Sequence, residues 1–161
     1  MASLRLVTDI DIRPIRFGAP VAQALVAATL ADLSVRYGGG GDETPLAPGD
    51  FDPPNGMFLI AYRDGAPIGC AGWRAHGDTE DLAELKRMYV APEARGAGVA
   101  TLLLAAIEES ARSAGRRRLI LETGSRQPEA IALYEKCGYA RIEDFGHYKD
   151  EPDAVHLGKL F

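Results

Sequence analysis

Apolar and polar positions change period several times along the chain, and each change marks an element. "SLRLVTDIDIRPI" alternates in part, with Leu4, Leu6, Ile10 and Ile12 apolar, and predicts a first strand. Residues 19–38 are apolar nearly all round, which predicts a mostly buried helix closed by Gly38. Val21, Leu25, Ala28 and Asp32 would share one face of it, and Leu30, Leu33 and Tyr37 another. Residues 38–56 are rich in Gly, Pro and Asp and read as a long loop. "MFLIAYR" and "PIGCAGWRA" are strand-like and flank Asp64-Gly65, a strong hairpin turn. A further strand covers 82–90.

Beyond it the period changes to helical. Val99, Leu102, Leu103, Ala106, Ile107 and Ser110 would line one helix face, and Gly115 closes that helix. "RRRLILET" is a short buried strand. "QPEAIALYEKCG" is a compact helix with Pro128 in its first turn. Ala130, Ile131, Leu133, Tyr134 and Cys137 make its face, and Gly138 stops it. "YARIEDF" and "AVHLGKLF" read as two closing strands. The helix between 82–90 and the strand ending near 123 returns the chain in the same direction, so those two strands should be parallel. The pattern predicts one α/β (α+β) domain over 1–161, with a mixed central sheet of about seven strands flanked by helices, and neither repeat nor linker.

Bulk composition narrows the function classes. The chain has 161 residues, 47% hydrophobic and 25% charged, with a net charge of −5. This is ordinary for a soluble domain and offers no general affinity for nucleic acid, which needs a basic surface. No apolar run approaches a membrane span, and "MASLRLVTDIDIRP" lacks the apolar centre of a signal peptide. The two cysteines, Cys70 and Cys137, show no metal-ligand spacing. The expectation is a cytoplasmic protein with reduced thiols, both cysteines serving as small hydrophobes, and no metal.

The stretch "APEARGAGVA", 91–100, puts two glycines at the mouth of a helix. Helix N-termini expose unpaired N–H groups and the positive end of the macrodipole, and a glycine turn lets them converge on an anion. A plain tight turn is the bland alternative. A Walker loop is excluded, because no Gly-Lys-Ser/Thr follows. A dinucleotide fingerprint fits poorly: Thr101 replaces its third glycine, and 91–95 separate the strand from the glycines, although Glu122 ends the next strand where a ribose-binding acid would lie.

"RGAGVA" resembles the Gln/Arg-x-x-Gly-x-Gly/Ala pyrophosphate loop of the GCN5-related N-acetyltransferases, the GNAT family. "AELKRMYVAPEARGAGVATLLLAAIEE" is similar to that family's fourth strand, loop and third helix, and "PEAIALYEKCGYARIEDF" to its last helix and following strand. The motifs cover about 82–145, and the order of elements agrees over nearly the whole chain.

The resemblance implies that acetyl-CoA is the cosubstrate. Its pyrophosphate would meet the backbone amides of Arg95, Gly96, Ala97, Gly98, Val99 and Ala100. Pantetheine would pair with the free edge of Met88, Tyr89 and Val90 where the parallel fourth and fifth strands splay. Glu84 matches the general-base position, against a bland reading as an exposed strand glutamate paired with Lys86 or Arg87. Tyr134 matches the general-acid tyrosine, against a core tyrosine with a satisfied hydroxyl. The oxyanion would sit against the backbone N–H of Met88. Gln127 stands where many members carry an asparagine that touches pantetheine. The implied activity is direct acetyl transfer, in a ternary complex, to a primary amine of a small molecule or peptide. The alternative is a non-catalytic acetyl-CoA-binding or sensor module.

"RRR", 116–118, starts the strand opposite the phosphate loop and reads as a solvated basic edge; Arg126 is the better candidate for the CoA 3′-phosphate. The acceptor groove should be built from the 38–56 loop, the hairpin and "FGHYKDEPDAVH". Asp50, Asp52, Glu80 and Asp81 make that region acidic, which favours a cationic amine. His147 and Tyr148 are expected to line it, and His76 and His156 to be strand-end residues without a special role. Apolar strands at the C-terminal edge permit a homodimer.

Overall fold

The computed structural model describes residues 9–161; Leu4 and Leu6 of the expected first strand lie outside the described residues. Strand β1 (Ile10–Pro14) leads through helix α1 (Pro20–Tyr37) and a long loop to the hairpin β2 (Gly56–Arg63) and β3 (Ala66–Ala75). Strand β4 (Leu82–Val90) follows, then helix α2 (Val99–Ser113), β5 (Arg118–Gly124), helix α3 (Pro128–Lys136), β6 (Ala140–Arg141) and β7 (Ala154–Leu160). One seven-stranded sheet runs in the order β1-β2-β3-β4-β5-β7-β6. Among the described residues, only β4 and β5 are parallel neighbours, as expected for a helical crossover.

Strand parity divides the interior. Leu59 and Ala61 of β2, Ala71 and Trp73 of β3, and Ala83 and Leu85 of β4 face a core completed by Leu103, Leu104 and Ile107 of α2. The opposite residues Phe58, Ile60 and Cys70 pack on Ala22, Leu25 and Val26 of α1. Farther along the sheet that second face ceases to be apolar: it carries Arg74, Glu84, Lys86, Glu122 and His156. A period-2 strand can be greasy on one side and charged on the other, provided each buried charge finds a partner.

Several expectations are corrected. Helix α1 buries Ala22, Leu25, Val26 and Thr29, whereas Val35 is 89% exposed. Because its sequence is apolar all round, periodicity selected no face, and the expected Val21–Asp32 stripe was rotated from the true one. "YARIEDF" supplies only a two-residue strand at the sheet edge. Arg116 is buried rather than solvated; its guanidinium stacks over Trp73 and reaches the Asn55 side chain at 3.2 Å. The opposite-end argument for "RRR" holds, since Arg118 pairs with Leu82 at the start of β4.

Candidate active site

β4 and β5 pair only over Leu82–Arg118, Ala83–Leu119 and Glu84–Ile120. Beyond that point the strands part, leaving Leu85–Val90 and Leu121–Gly124 with facing edges free of each other. β4 stays attached to β3, but through a register shift: Gly72 pairs with Lys86 and Cys70 with Tyr89, so β4 carries one extra residue. Arg87 sits in this bulge at φ 57°. A bulge bends its strand and increases the local twist, which accounts for the divergence of β4 from β5.

A narrow cleft of about 90 Å³ occupies the gap, lined by Lys86, Met88 and Tyr89 from β4, Glu122 from β5, and Gln127 and Tyr134 around α3. At the C-terminal end of β4 the chain makes a short 3₁₀ turn (Pro92–Ala94) and enters α2 through Gly96 and Gly98, both at φ 80°. Gly98 is the N-cap and offers no side chain to the helix end. The first α-type bond runs from Leu102 N–H to the Gly98 carbonyl at 3.1 Å. Among the described residues, the N–H groups of Gly96 to Thr101 have no loop or cap partner. These donors share the positive end of the helix dipole and fit an anion.

Arg95 is turned back onto β4. Its Nε donates to the Val90 carbonyl at 2.9 Å, and its guanidinium lies 5.7 Å from the centre of the Tyr89 ring. One of the edge carbonyls expected to be available to a ligand is therefore already engaged. Gln127 is the N-cap of α3 and its amide oxygen accepts from the Tyr37 hydroxyl at 3.3 Å. Arg126, beyond β5, donates to the Arg36 carbonyl at 3.0 Å.

Tyr134 lines the cleft and is only 5% exposed. Burial drives its phenol well above the usual range, and among the described residues no hydrogen bond acts on the hydroxyl. The core tyrosine with a satisfied hydroxyl, Tyr139, is a neighbour: it donates to Glu108 at 2.9 Å.

Glu84 is placed differently from an exposed strand glutamate. It is 3% exposed, and its carboxylate accepts from Arg74 Nε at 2.9 Å. Arg74 continues to Asp50 at 3.0 Å and the Pro45 carbonyl at 2.9 Å. His76 Nδ1 stands 3.6 Å from Glu84. Glu84 lines neither the cleft nor the wider cavity beside it.

That wider cavity has a volume of about 350 Å³ and lies against the cleft. Its carboxylates are Asp42, Glu122, Glu151 and Asp153, with Tyr37 and Tyr148 as aromatic walls; among the described residues no lysine or arginine lines it. Asp50, Asp52, Glu80 and Asp81, the acids singled out from sequence, are not among its walls. Tyr148 is in the wall as expected, its hydroxyl accepting from Glu43 N–H, and His147 packs edge-on against Tyr148 with ring centroids 4.7 Å apart.

Four charges join the two spaces. Lys86 Nζ reaches Asp42 at 3.1 Å, Thr44 Oγ1 at 3.2 Å and Glu122 at 3.8 Å. Arg87 also pairs with Asp42. Burial pushes the Asp42 carboxyl upward, but Lys86, Arg87 and the Thr44 hydrogen bonds outweigh it and hold the group far below the carboxylate range. Glu122 moves the other way: burial dominates, and the attraction of Lys86 and His156, offset in part by the repulsion of Asp42 and Glu84, does not overcome it. His156 is fully buried, with Nε2 3.2 Å from Glu122 and Nδ1 3.1 Å from Asp144. His156 therefore lies inside β7, buried between two carboxylates, rather than at a strand end as expected. Sequence reasoning missed Asp42, in a glycine-rich loop with nothing to mark it. It could have found the cluster through parity, because Glu84 and Lys86 share a face of a strand whose other face is core.

Comparison with known proteins is consistent with this geometry. The acetyltransferase (GNAT) family profile matches residues 26–139. The chain belongs to the GNAT family. It is 43% identical over 107 residues to an IAA acetyltransferase of Azospirillum brasilense, a stretch covering 66% of this chain and 69% of that protein. It is 30% identical over 104 residues to an aminoglycoside N(6′)-acetyltransferase type 1 of Stenotrophomonas maltophilia, covering 61% of this chain and 68% of the relative. The matched stretch of an Escherichia coli N-acetyltransferase, YjgM, at 35% identity, spans 58% of this chain and 56% of that protein. In three dimensions, a Klebsiella pneumoniae protein assigned to the acyl-CoA N-acyltransferases superposes with a TM-score of 0.77 at 30% identity, covering 94% of this chain and 97% of its own. A GNAT acetyltransferase from Elizabethkingia anophelis, solved with acetyl-CoA bound, shares the fold at TM-score 0.68 and 19% identity, over 95% of this chain and 99% of that one. The chain is an N-acetyltransferase of GNAT type, a family that uses acetyl-CoA. Among the described residues, no helix is long and apolar enough to cross a membrane.

Proposed function

We propose that this protein transfers the acetyl group of acetyl-CoA directly to a primary amine of a small molecule or peptide, both substrates being bound together. The observation that carries this reading is the juxtaposition of a helix mouth rich in unpartnered N–H groups, a splayed strand edge and a carboxylate-lined cavity at one end of the sheet.

Acetyl-CoA supplies an activated acetyl group on a thiol leaving group. The amides of Gly96, Ala97, Gly98, Val99 and Ala100 would hold its pyrophosphate; the expected contribution of the Arg95 amide is weakened, because that N–H already donates to the Pro92 carbonyl at 3.3 Å and the side chain is committed to Val90. Met88 and Tyr89 offer the strand edge, Val90 offers less than a free residue would, and Gln127 sits at the cleft wall. The Met88 N–H, beside the bulge, is the proposed donor to the carbonyl oxygen as it gains charge. Tyr134 is the proposed acid. Burial keeps its phenol protonated but also makes it a weaker acid than the thiol it would serve, whose ordinary pKa is about 8.5, so the role rests on its position in the cleft wall.

The acceptor enters from the other side. Lys86 and Arg87 counter Asp42 and Lys86 faces Glu122, but Glu151 and Asp153 and the aromatic rings of the cavity favour an alkylammonium over an anion. The names of the relatives, which include IAA and aminoglycoside enzymes, do not choose an acceptor for this chain. The test is thiol release from acetyl-CoA over a panel of polyamines, amino acids, aminoglycosides and peptides. Amine-dependent release with a matching acetylated product is expected. Tight acetyl-CoA binding with no release on any amine would instead assign a sensor.

A further inference from the structure

An amine must lose a proton before it can attack, and the carboxylate that takes it has to meet two conditions. It must border both the acetyl-donor cleft and the acceptor cavity, and it must be free of a cation clamp that would keep it from accepting a proton. Glu84 lines neither space, and the Arg74 guanidinium occupies its carboxylate. Asp42 and Glu122 are the carboxylates that line both. Asp42 is clamped by Lys86, Arg87 and Thr44, which keep it ionised.

The geometry points to Glu122 as the group that accepts the proton of the incoming ammonium. This rests on the transferase reading above. Glu122 stands on β5, opposite the bulged edge of β4, and shares the cleft wall with Tyr134. His156 Nε2 at 3.2 Å holds the carboxylate from β7, and Asp144 at 3.1 Å fixes the other ring nitrogen. Lys86 faces it from β4 at 3.8 Å. Asp42 in the long loop, Glu84 on β4 and Tyr148 in the loop before β7 complete the titratable surroundings. Together they leave Glu122 easier to protonate than an ordinary glutamate, burial being the largest cause.

The protons balance. Glu122 takes one from the ammonium and passes it to solvent. The nitrogen–carbon bond then forms as the carbon–sulfur bond breaks. Tyr134 gives its proton to the sulfur and recovers one from the nitrogen as the amide forms. Per turnover one proton is released, with neutral thiol and amide as products.

The experiment is the pH dependence of kcat/KM for wild type, Glu122→Gln and Glu84→Gln, with acetyl-CoA affinity measured alongside. Glu122→Gln should lose about 100-fold or more near neutral pH, keep its acetyl-CoA affinity, and regain rate with rising pH as free amine accumulates. The wild-type acid limb assigned to the carboxylate should vanish in it and persist in Glu84→Gln. An unchanged profile in Glu122→Gln, or loss of the limb in Glu84→Gln alone, overturns the assignment. If Glu122→Gln fails to bind acetyl-CoA, Glu122→Asp decides: the limb must move to lower pH with a reduced rate, and an unmoved limb overturns it. Absence of thiol release in wild type on every amine is a different failure, that of the transferase reading itself.

Discussion

Arg74 and Glu84 form a buried ion pair across β3 and β4, with Nε 2.9 Å from Oε1 and the two residues directly opposite in the antiparallel register. The Glu84 side chain is 4% exposed and that of Arg74 17%. Such a pair gains little over an apolar one, but breaking it strands a charge in a poor solvent. Arg74→Met should therefore cost about 3 kcal/mol in urea denaturation, and adding Glu84→Gln should return at least about 1 kcal/mol by removing the stranded charge. Strictly additive losses would show that Arg74 does not hold Glu84.

Asp42 sets an acid dependence of stability. Its folded pKa lies below its ordinary value of 3.8, the two cations outweighing burial. A depressed carboxyl contributes stability that is complete above the unfolded pKa and is lost as pH falls from there toward the folded value. Between about pH 4 and pH 2, wild type should lose stability faster than Asp42→Asn. Parallel urea midpoints for the two proteins over that window would remove Asp42 from the account.

Tyr134→Phe separates catalysis from packing. The ring stays in the core and no hydrogen bond of the hydroxyl to the described residues is lost, so the thermal midpoint should hold. Acetyl-CoA affinity should hold too, while thiol release slows about 100-fold. The wild-type rate should not fall between pH 9 and 10 through ionisation of this phenol, since burial raises it further. Full activity in the variant would reduce Tyr134 to a core residue.

Gly96→Ala tests the phosphate loop. A Cβ there meets nothing within 4 Å, so the substitution introduces no clash and acts through the backbone at φ 80°. Strain of about 1 kcal/mol is expected, and relaxation of the loop should turn one or two N–H groups away. At about 1.5 kcal/mol for a hydrogen bond to a charged group, acetyl-CoA should bind about tenfold more weakly. Calorimetric titration of acetyl-CoA would measure this; unchanged affinity would argue that the ligand does not use these amides.

Elements governed by local rules were legible along the chain. The hairpin turns at Asp64 and Gly65, both at positive φ, as the dipeptide requires. Helix α2 starts at the expected Val99 after the glycine pair, and β4 covers the expected 82–90. These features depend on backbone freedom and on periodicity, which neighbours in sequence determine. The order of elements followed, and with it the parallel pair and the family. The face of α1 was not legible, because a helix apolar all round is oriented only by what it packs on.

The tertiary structure decided which charges meet. Asp42, Lys86, Glu122 and His156 come from a loop and three strands far apart in sequence, and the strand residues meet because β4, β5 and β7 are successive neighbours in the sheet. Glu84 and Glu122 are both strand glutamates on the same sheet face, and local sequence gives no reason to treat them differently. The strands part just beyond Glu84, so one carboxylate is sealed against Arg74 and the other borders the cleft. The sequence determined the framework through local preferences and hydrophobic parity. Long-range packing determined the environment of each ionisable group, because desolvation and Coulomb forces act through space rather than along the chain.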